Sequence, residues 1–309
     1  MISRLSSNDS LLLLGSKSVI VIAALALMGA CMTRDNVDER PSVVASTTIV
    51  ADLIQQVSGD HIQIQTIIPS GADPHTFTLT PGDIRAVASA DLIVLVGMSL
   101  SSIETDLAEK AKGRVLILTD SMALKPFPPM SGPGHGDEHE NDRLDPHFWM
   151  DLDLTIEAIA TIRDTLSEVD EENAPDYVIR ATSYQQKLQA LDAEISETLR
   201  YLPAERKLLV TFHGAYGYFA SRYGLTIVGF VAGDGEAEPS AAALADLIEV
   251  IEQTEVPYLF MEPQFNGQTL KQIAAATGTE LRTLPSDTLS EEYPTYIDFL
   301  RKITDAIAR

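Results

Sequence analysis

Three histidines stand where a turn or a strand end would fix an imidazole in place, and together they could share one metal ion. His75 lies in Gly71-Ala72-Asp73-Pro74-His75, just past a predicted strand, where Gly and Pro set the backbone of a turn. His147 lies in Asp145-Pro146-His147-Phe148-Trp149, before a helix expected to begin near Asp151, so the tripeptide Asp-Pro-His occurs twice. His213 follows the run Lys207 to Phe212 and precedes Gly214, at the carboxyl end of a predicted strand. Neutral imidazoles are the usual nitrogen ligands of zinc, at about 2.0 to 2.1 Å. A fourth ligand should be an oxygen. Spacing leaves two candidates open: Asp287 in Leu284-Pro285-Ser286-Asp287-Thr288-Leu289, and Glu262 in Met261-Glu262-Pro263-Gln264-Phe265. The chain has one cysteine, Cys31, so a site remote from it must be built from His, Asp and Glu.

The elements that must position these groups read as repeated βα units. Val43 to Thr48, His61 to Ile67, Leu92 to Val96 and Val115 to Leu118 are expected as strands; Ile49 to Ser58 and a segment opened by Pro81-Gly82-Asp83 are expected as helices. The second half repeats the scheme. Lys207 to Phe212, Leu225 to Phe230, Pro257 to Met261 and Glu280 to Leu284 read as strands, with helices at Ser240 to Gln253, Gln268 to Thr277 and Tyr293 to Ala308. The fold class predicted is α/β, with two βα-repeat lobes bridged by one long α-helix. Tyr177, Ala181, Tyr184, Leu188, Leu191, Ile195 and Leu199 recur at alternating steps of four and three, behind Asn173 as a cap and Pro175 in the first turn. At 1.5 Å per residue such a helix is a rod of roughly 37 Å, long enough to run along both lobes. Ligands in open α/β sheets bind beyond the carboxyl ends of the strands, which suits His75 and His213. His61 belongs to no motif and reads as an exposed strand residue.

The 309 residues, 45% hydrophobic and 22% charged, are enough for two domains with a sizeable core. A formal net charge of −23 argues against a nucleic-acid partner, which clustered Lys and Arg would have to hold. Residues 1–30 read as a secretory signal, with basic Arg4 and Lys17 around a short apolar run that closes on Gly29 and Ala30. Met28-Gly29-Ala30-Cys31 resembles a bacterial lipobox, which implies an acylated Cys31 held in membrane lipid. The expected organisation continues with a tether at 31–41, an N-terminal lobe at 42–168, a linker helix at 170–200 and a C-terminal lobe at 205–309. Within the first lobe, 125–142 is rich in Pro, Gly and acids, carries His135 and His139, and reads as a loop.

Five stretches in one order carry a resemblance. They are Gly71 to His75 with Thr80-Pro81, Asp145 to Trp149, Phe212-His213-Gly214-Ala215-Tyr216-Gly217-Tyr218-Phe219-Ala220, Glu238-Pro239-Ser240, and Glu262 to Phe265. Over its mature length the chain resembles the zinc and manganese substrate-binding lipoproteins of ABC importers, the ZnuA-like and TroA-like group. The resemblance implies a metal site in the cleft between lobes, with His75, His147, His213 and Asp287 as ligands and Glu262 as a carboxylate supporting them. It implies an extracytoplasmic, lipid-anchored, monomeric receptor, periplasmic or on the outer face of the cell membrane, that delivers metal to a membrane permease. In manganese-type members of the group a carboxylate replaces the third histidine. Three imidazoles with one carboxylate suit Zn2+, whereas Mn2+ prefers more oxygen ligands, although cobalt, nickel and copper would accept the same set. The loop holding His135 and His139 resembles a short form of the His-rich acidic loop of zinc importers, an auxiliary capture site. Other classes would use the same residues differently. A zinc hydrolase would keep water on the ion beside a carboxylate base such as Glu262, and a surface adhesin would use the ion structurally.

Overall fold

The computed structural model describes residues 40–97, 100–127, 144–232 and 240–309. The expected signal at 1–30, Cys31 and nearly all of the tether lie outside these residues. So do Glu238, Pro239, and most of the 125–142 loop with His135 and His139.

Two four-stranded parallel sheets form the frame. The first contains β1 (Ser42–Ala45), β2 (Gln63–Thr66), β3 (Leu92–Leu95) and β4 (Arg114–Ile117), in the order β2-β1-β3-β4. The second contains β5 (Leu208–His213), β6 (Thr226–Ala232), β7 (Tyr258–Met261) and β8 (Glu280–Thr283), in the order β6-β5-β7-β8. The two orders are the same topology used twice. Each reverses direction beside its first strand, and the loops leaving β1 and β3, or β5 and β7, diverge there to open a crevice.

Helices follow the strands: α1 (Thr48–Ser58), α2 (Pro81–Ser89), α3 (Ser102–Lys110) and α4 (Leu152–Val169), then α5 (Ala174–Arg200). The second half adds α6 (Gly217–Tyr223), α7 (Ala241–Thr254), α8 (Gln268–Thr277) and α9 (Tyr296–Ala308). Local chemistry sets their starts. Thr80 caps α2 in a reciprocal box with Asp83, and Ser240 and Thr295 accept from backbone N–H groups at the heads of α7 and α9.

The bridging helix α5 buries Tyr177, Ala181, Tyr184, Leu188, Leu191, Ile195 and Leu199, the seven positions its periodicity marked. Asn173 stands at its start without capping through its side chain; its amide bonds Asp170 instead, which also takes the hydroxyl of Tyr177. His61 is not in a strand. It closes a 3-10 turn, Gly59–His61, and its ring meets Asp176 and Tyr177 at the head of α5.

Strand alternation divides the core into three parts. Val43, Ala45, Leu92 and Val94 point to a central cluster that also takes in α1, α4, α5, α9 and residues of the second lobe; Val44, Ile93 and Leu95 point to an outer cluster with α2 and α3. Val210, Leu259, Leu247 and Ile273 form the corresponding outer cluster of the second lobe. The lobes are thus built on one continuous central core.

Candidate metal centre

The crevice between the lobes collects side chains from both sheets. His213 is the last residue of β5, Glu262 follows β7 at once, and Asp287 lies in the loop after β8. From the first half come His75, in the turn after β2, and His147, which opens the 3-10 turn Phe148–Met150. One ligand atom from each of His75, His147, His213 and Asp287 lies within 4.8 Å of the others. The ring centroids are 5.5 Å (His75 to His147), 5.6 Å (His75 to His213) and 5.3 Å (His147 to His213) apart, a nearly regular triangle. All four residues are buried.

The repeated Asp-Pro-His tripeptide has a structural reason. In both copies the Asp carboxylate accepts the backbone N–H of the His two residues on, at 2.9 Å for Asp73 and 3.0 Å for Asp145. That local turn, stiffened by Pro, fixes the backbone from which the imidazole projects.

Each ring is also held from behind through Nδ1. His75 Nδ1 lies 2.8 Å from the carbonyl of Leu100 and His147 Nδ1 2.7 Å from Asp145 Oδ1, while His213 Nδ1 meets Glu262 Oε2 at 2.5 Å as an ion-pair contact outside hydrogen-bond geometry. Glu262 Oε1 also accepts the backbone N–H of His213. With Nδ1 engaged, the Nε2 lone pair is directed into the crevice, the arrangement that metal-binding imidazoles use. Among the described residues, His75 Nε2, His213 Nε2 and Asp287 Oδ1 are buried polar atoms without a hydrogen-bond partner. Buried polar atoms are rarely left so, and their convergence fits a cation as the missing partner. Between Asp287 and Glu262, which spacing left open, it is Asp287 that joins the cluster and Glu262 that backs His213.

Electrostatics pull the rings in opposite directions. Burial, reinforced by the neighbouring imidazoles of His147 and His213, drives His75 down to about 3 despite Asp287. Burial also works against protonated His213, but the carboxylates of Glu262 and Asp287 outweigh it and raise the group to about 9. Burial lifts Asp145 to about 7 against the His147 N–H it accepts. Trp149, Phe127 and Phe265 lie against the rings and form a water-poor wall. Gly214 permits part of that wall, because a Cβ there would sit 2.5 Å from the Phe127 ring.

Gln264, Ser286 and Asp145 are further members of the site to which the residue types alone attached no role. The hint for Asp145 was its place two residues before His147; Gln264 and Ser286 lay inside quoted motifs, but only tertiary contact reveals what they touch.

Two parallel α/β lobes joined by a long helix, with three imidazoles and a carboxylate facing one another in the cleft, define a two-lobed solute-binding protein. The family described as "ZnuA: Zinc-uptake complex component A periplasmic" matches residues 43–309, and the chain belongs to it. It is a metal-binding substrate-binding component of an ABC importer and not an enzyme. Among relatives, the chain is 31% identical over 316 residues to "Iron-binding protein YfeA" of Yersinia pestis, covering 100% of this chain and 99% of that one. It is 30% identical over 244 residues to "Zinc-binding protein TroA" of Treponema pallidum, covering 78% of this chain and 77% of the other. The solved structure of that protein superposes with a TM-score of 0.76 at 26% identity, covering 87% of this chain and all of the other (100%). "Manganese-binding lipoprotein MntA" of Halalkalibacterium halodurans is 27% identical over 293 residues, covering 93% of this chain and 94% of its own.

Proposed function

We propose that this receptor captures Zn2+ in preference to Mn2+, with His75, His147, His213 and Asp287 as the ligands. The observation that carries the reading is the composition of the cluster: three nitrogens and one oxygen within 4.8 Å of one another, all buried. A small nitrogen-rich set suits a tetrahedral zinc ion, while Mn2+ gains more from additional oxygens. Relatives named for iron, zinc and manganese show that membership alone leaves the metal open, so the donor set has to decide.

The rest of the reading follows from the sequence. Residues 1–30 direct export, the acylated Cys31 tethers the protein to the outer side of a bacterial membrane through 31–41, and the monomer hands its ion to the permease. Residues 42–168 and 205–309 act as the two lobes about the 170–200 helix, with His135 and His139 as an auxiliary capture pair. Relatives described as lipoproteins support the anchor.

Competition titration of the purified mature protein with Zn2+ and Mn2+ tests the metal assignment. One tight zinc site per molecule, with manganese displaced, is the expected result. Manganese binding as tightly as zinc would reverse the assignment.

A further inference from the structure

Helix α6 follows the strand that ends on His213, and its side chains grip the segment carrying His147 on both sides of that residue. On the near side, the buried Tyr218 hydroxyl donates to Asp145 O at 3.1 Å and accepts the backbone N–H of Lys125 at 2.9 Å. Asp145 N donates to Lys125 O at 2.9 Å, so the backbone beneath the carboxylate behind His147 is closed into a small polar ring with Tyr218. On the far side, Arg222 Nη1 donates at 2.9 Å to Asp151 Oδ1, the oxygen that caps α4 by accepting the Asp153 N–H. The same guanidinium forks onto Asp192 of α5 through Nε at 2.7 Å and Nη2 at 2.9 Å. It reaches Asp153 through Nη1 at 2.8 Å and Nη2 at 3.0 Å, which uses all of its N–H donors. The outermost of these contacts carries little, since the Asp153 side chain is 76% exposed. Asp151 and Arg222 are only 12% and 18% exposed, and a planar fork held at that depth fixes direction as well as distance.

We infer that Tyr218 and Arg222 are positioning residues that set the separation of His147 from His213 and so preorganise two ligands for one ion. The inference rests on the reading of these two histidines as ligands. None of the bonds made by Tyr218 or Arg222 uses an atom of the proposed ligand set, so the spacing is set by the protein itself. Binding then requires less ordering of segments that come from different lobes. A metal site tolerates displacements of only about 0.5 Å, so loosening either tie should be felt at the ion.

The test compares Tyr218→Phe with Tyr223→Phe. Both lose one hydroxyl from the same helix, but that of Tyr223 bonds Asp192 at 2.7 Å and so leads to α5 and not to a ligand-bearing segment. Three readouts are taken: zinc competition against a chelator, the visible spectrum of the cobalt(II) form, which reports the arrangement of the ligands, and thermal unfolding of the metal-free protein. Tyr218→Phe should weaken zinc by about 10- to 100-fold, the range for loss of a group that supports a ligand, and should alter the cobalt spectrum. Tyr223→Phe should lower thermal stability and leave affinity and spectrum at the wild-type level. Arg222→Lys, which keeps the charge and loses the fork, should behave as Tyr218→Phe does, and it carries the test if that variant does not fold. Folded Tyr218→Phe or Arg222→Lys protein with wild-type affinity and spectrum would overturn the inference, as would equal losses of zinc affinity in Tyr218→Phe and Tyr223→Phe. If His147→Ala binds zinc as tightly as wild type, the ligand reading falls instead, and this inference with it.

Discussion

Each imidazole of the cluster is backed by a different acceptor: a backbone carbonyl behind His75, the carboxylate of Asp145 behind His147, and that of Glu262 behind His213. A carboxylate raises the basicity of the ring it supports more than a carbonyl does, so the three nitrogens are graded donors. Glu262→Gln should therefore weaken zinc by about 10- to 100-fold while His147→Ala, which removes a proposed ligand outright, weakens it further; isothermal competition against a chelator measures both. Equal affinities for the two variants would contradict the distinction between ligand and support. A second buried carboxylate, Glu104, stands apart from this network. It accepts from the backbone N–H groups of Val96 and Gly97, yet burial lifts it from the ordinary 4.5 to about 7. A folded-state value above the unfolded one means that Glu104 takes up a proton on folding. Its contribution is full below about pH 4.5 and is lost as pH rises through 7. In denaturant titrations the stability deficit of Glu104→Gln relative to wild type should shrink between pH 5 and pH 8. A deficit that grows over this range would show that the carboxyl is held ionised.

At the scale of elements, α5 was the most legible part of the sequence, because a helix buried on one stripe must repeat its apolar residues every three or four positions. Leu188 lies on that stripe, fully buried, and Ile179 lies off it, exposed. Leu188→Ala should cost about 2 to 5 kcal/mol in chemical denaturation, and Ile179→Ala less than about 0.5 kcal/mol. Similar losses at both positions would mean that the helix is not seated as described. The strands were legible from their apolar runs, with ends shifted by at most three residues. Two helices were not: α3 is short and charged, and α6 falls inside the glycine-containing stretch after His213, where seven residues are too few for a period to show. His61 read as strand because it precedes an alternating run, whereas the turn it closes is set by its meeting with α5. In the site, the three histidines were legible because each sits in a turn or strand end with its own local signature. Asp287 was not separable from Glu262 by spacing, since both follow strands of one sheet. What decides between them is which carboxylate reaches the rings' inner nitrogens, a matter of how β7 and β8 lie side by side.

Across the whole molecule, the two sheets share a central core through α1, α4, α5 and α9, and polar ties cross between their loops. Trp149 Nε1 donates to Ser286 O, Ser70 Oγ to Leu289 O, and Leu289 N to Thr48 Oγ1, so the loop that carries Asp287 is fastened on both sides to the first half of the chain. The proposed ligand set therefore draws on both lobes. Deleting residues 133–140 should leave a single tight zinc site, counted by metal analysis after gel filtration; its loss would place part of the site in that loop. The account rests on one ion held jointly by residues 75, 147, 213 and 287, and anomalous diffraction at the zinc edge from crystals of the zinc-loaded protein tests it most directly. The predicted result is one strong peak at about 2.0 to 2.2 Å from Nε2 of His75, His147 and His213 and from one oxygen of Asp287. A principal peak elsewhere, or one out of reach of any of those three imidazoles, would contradict it.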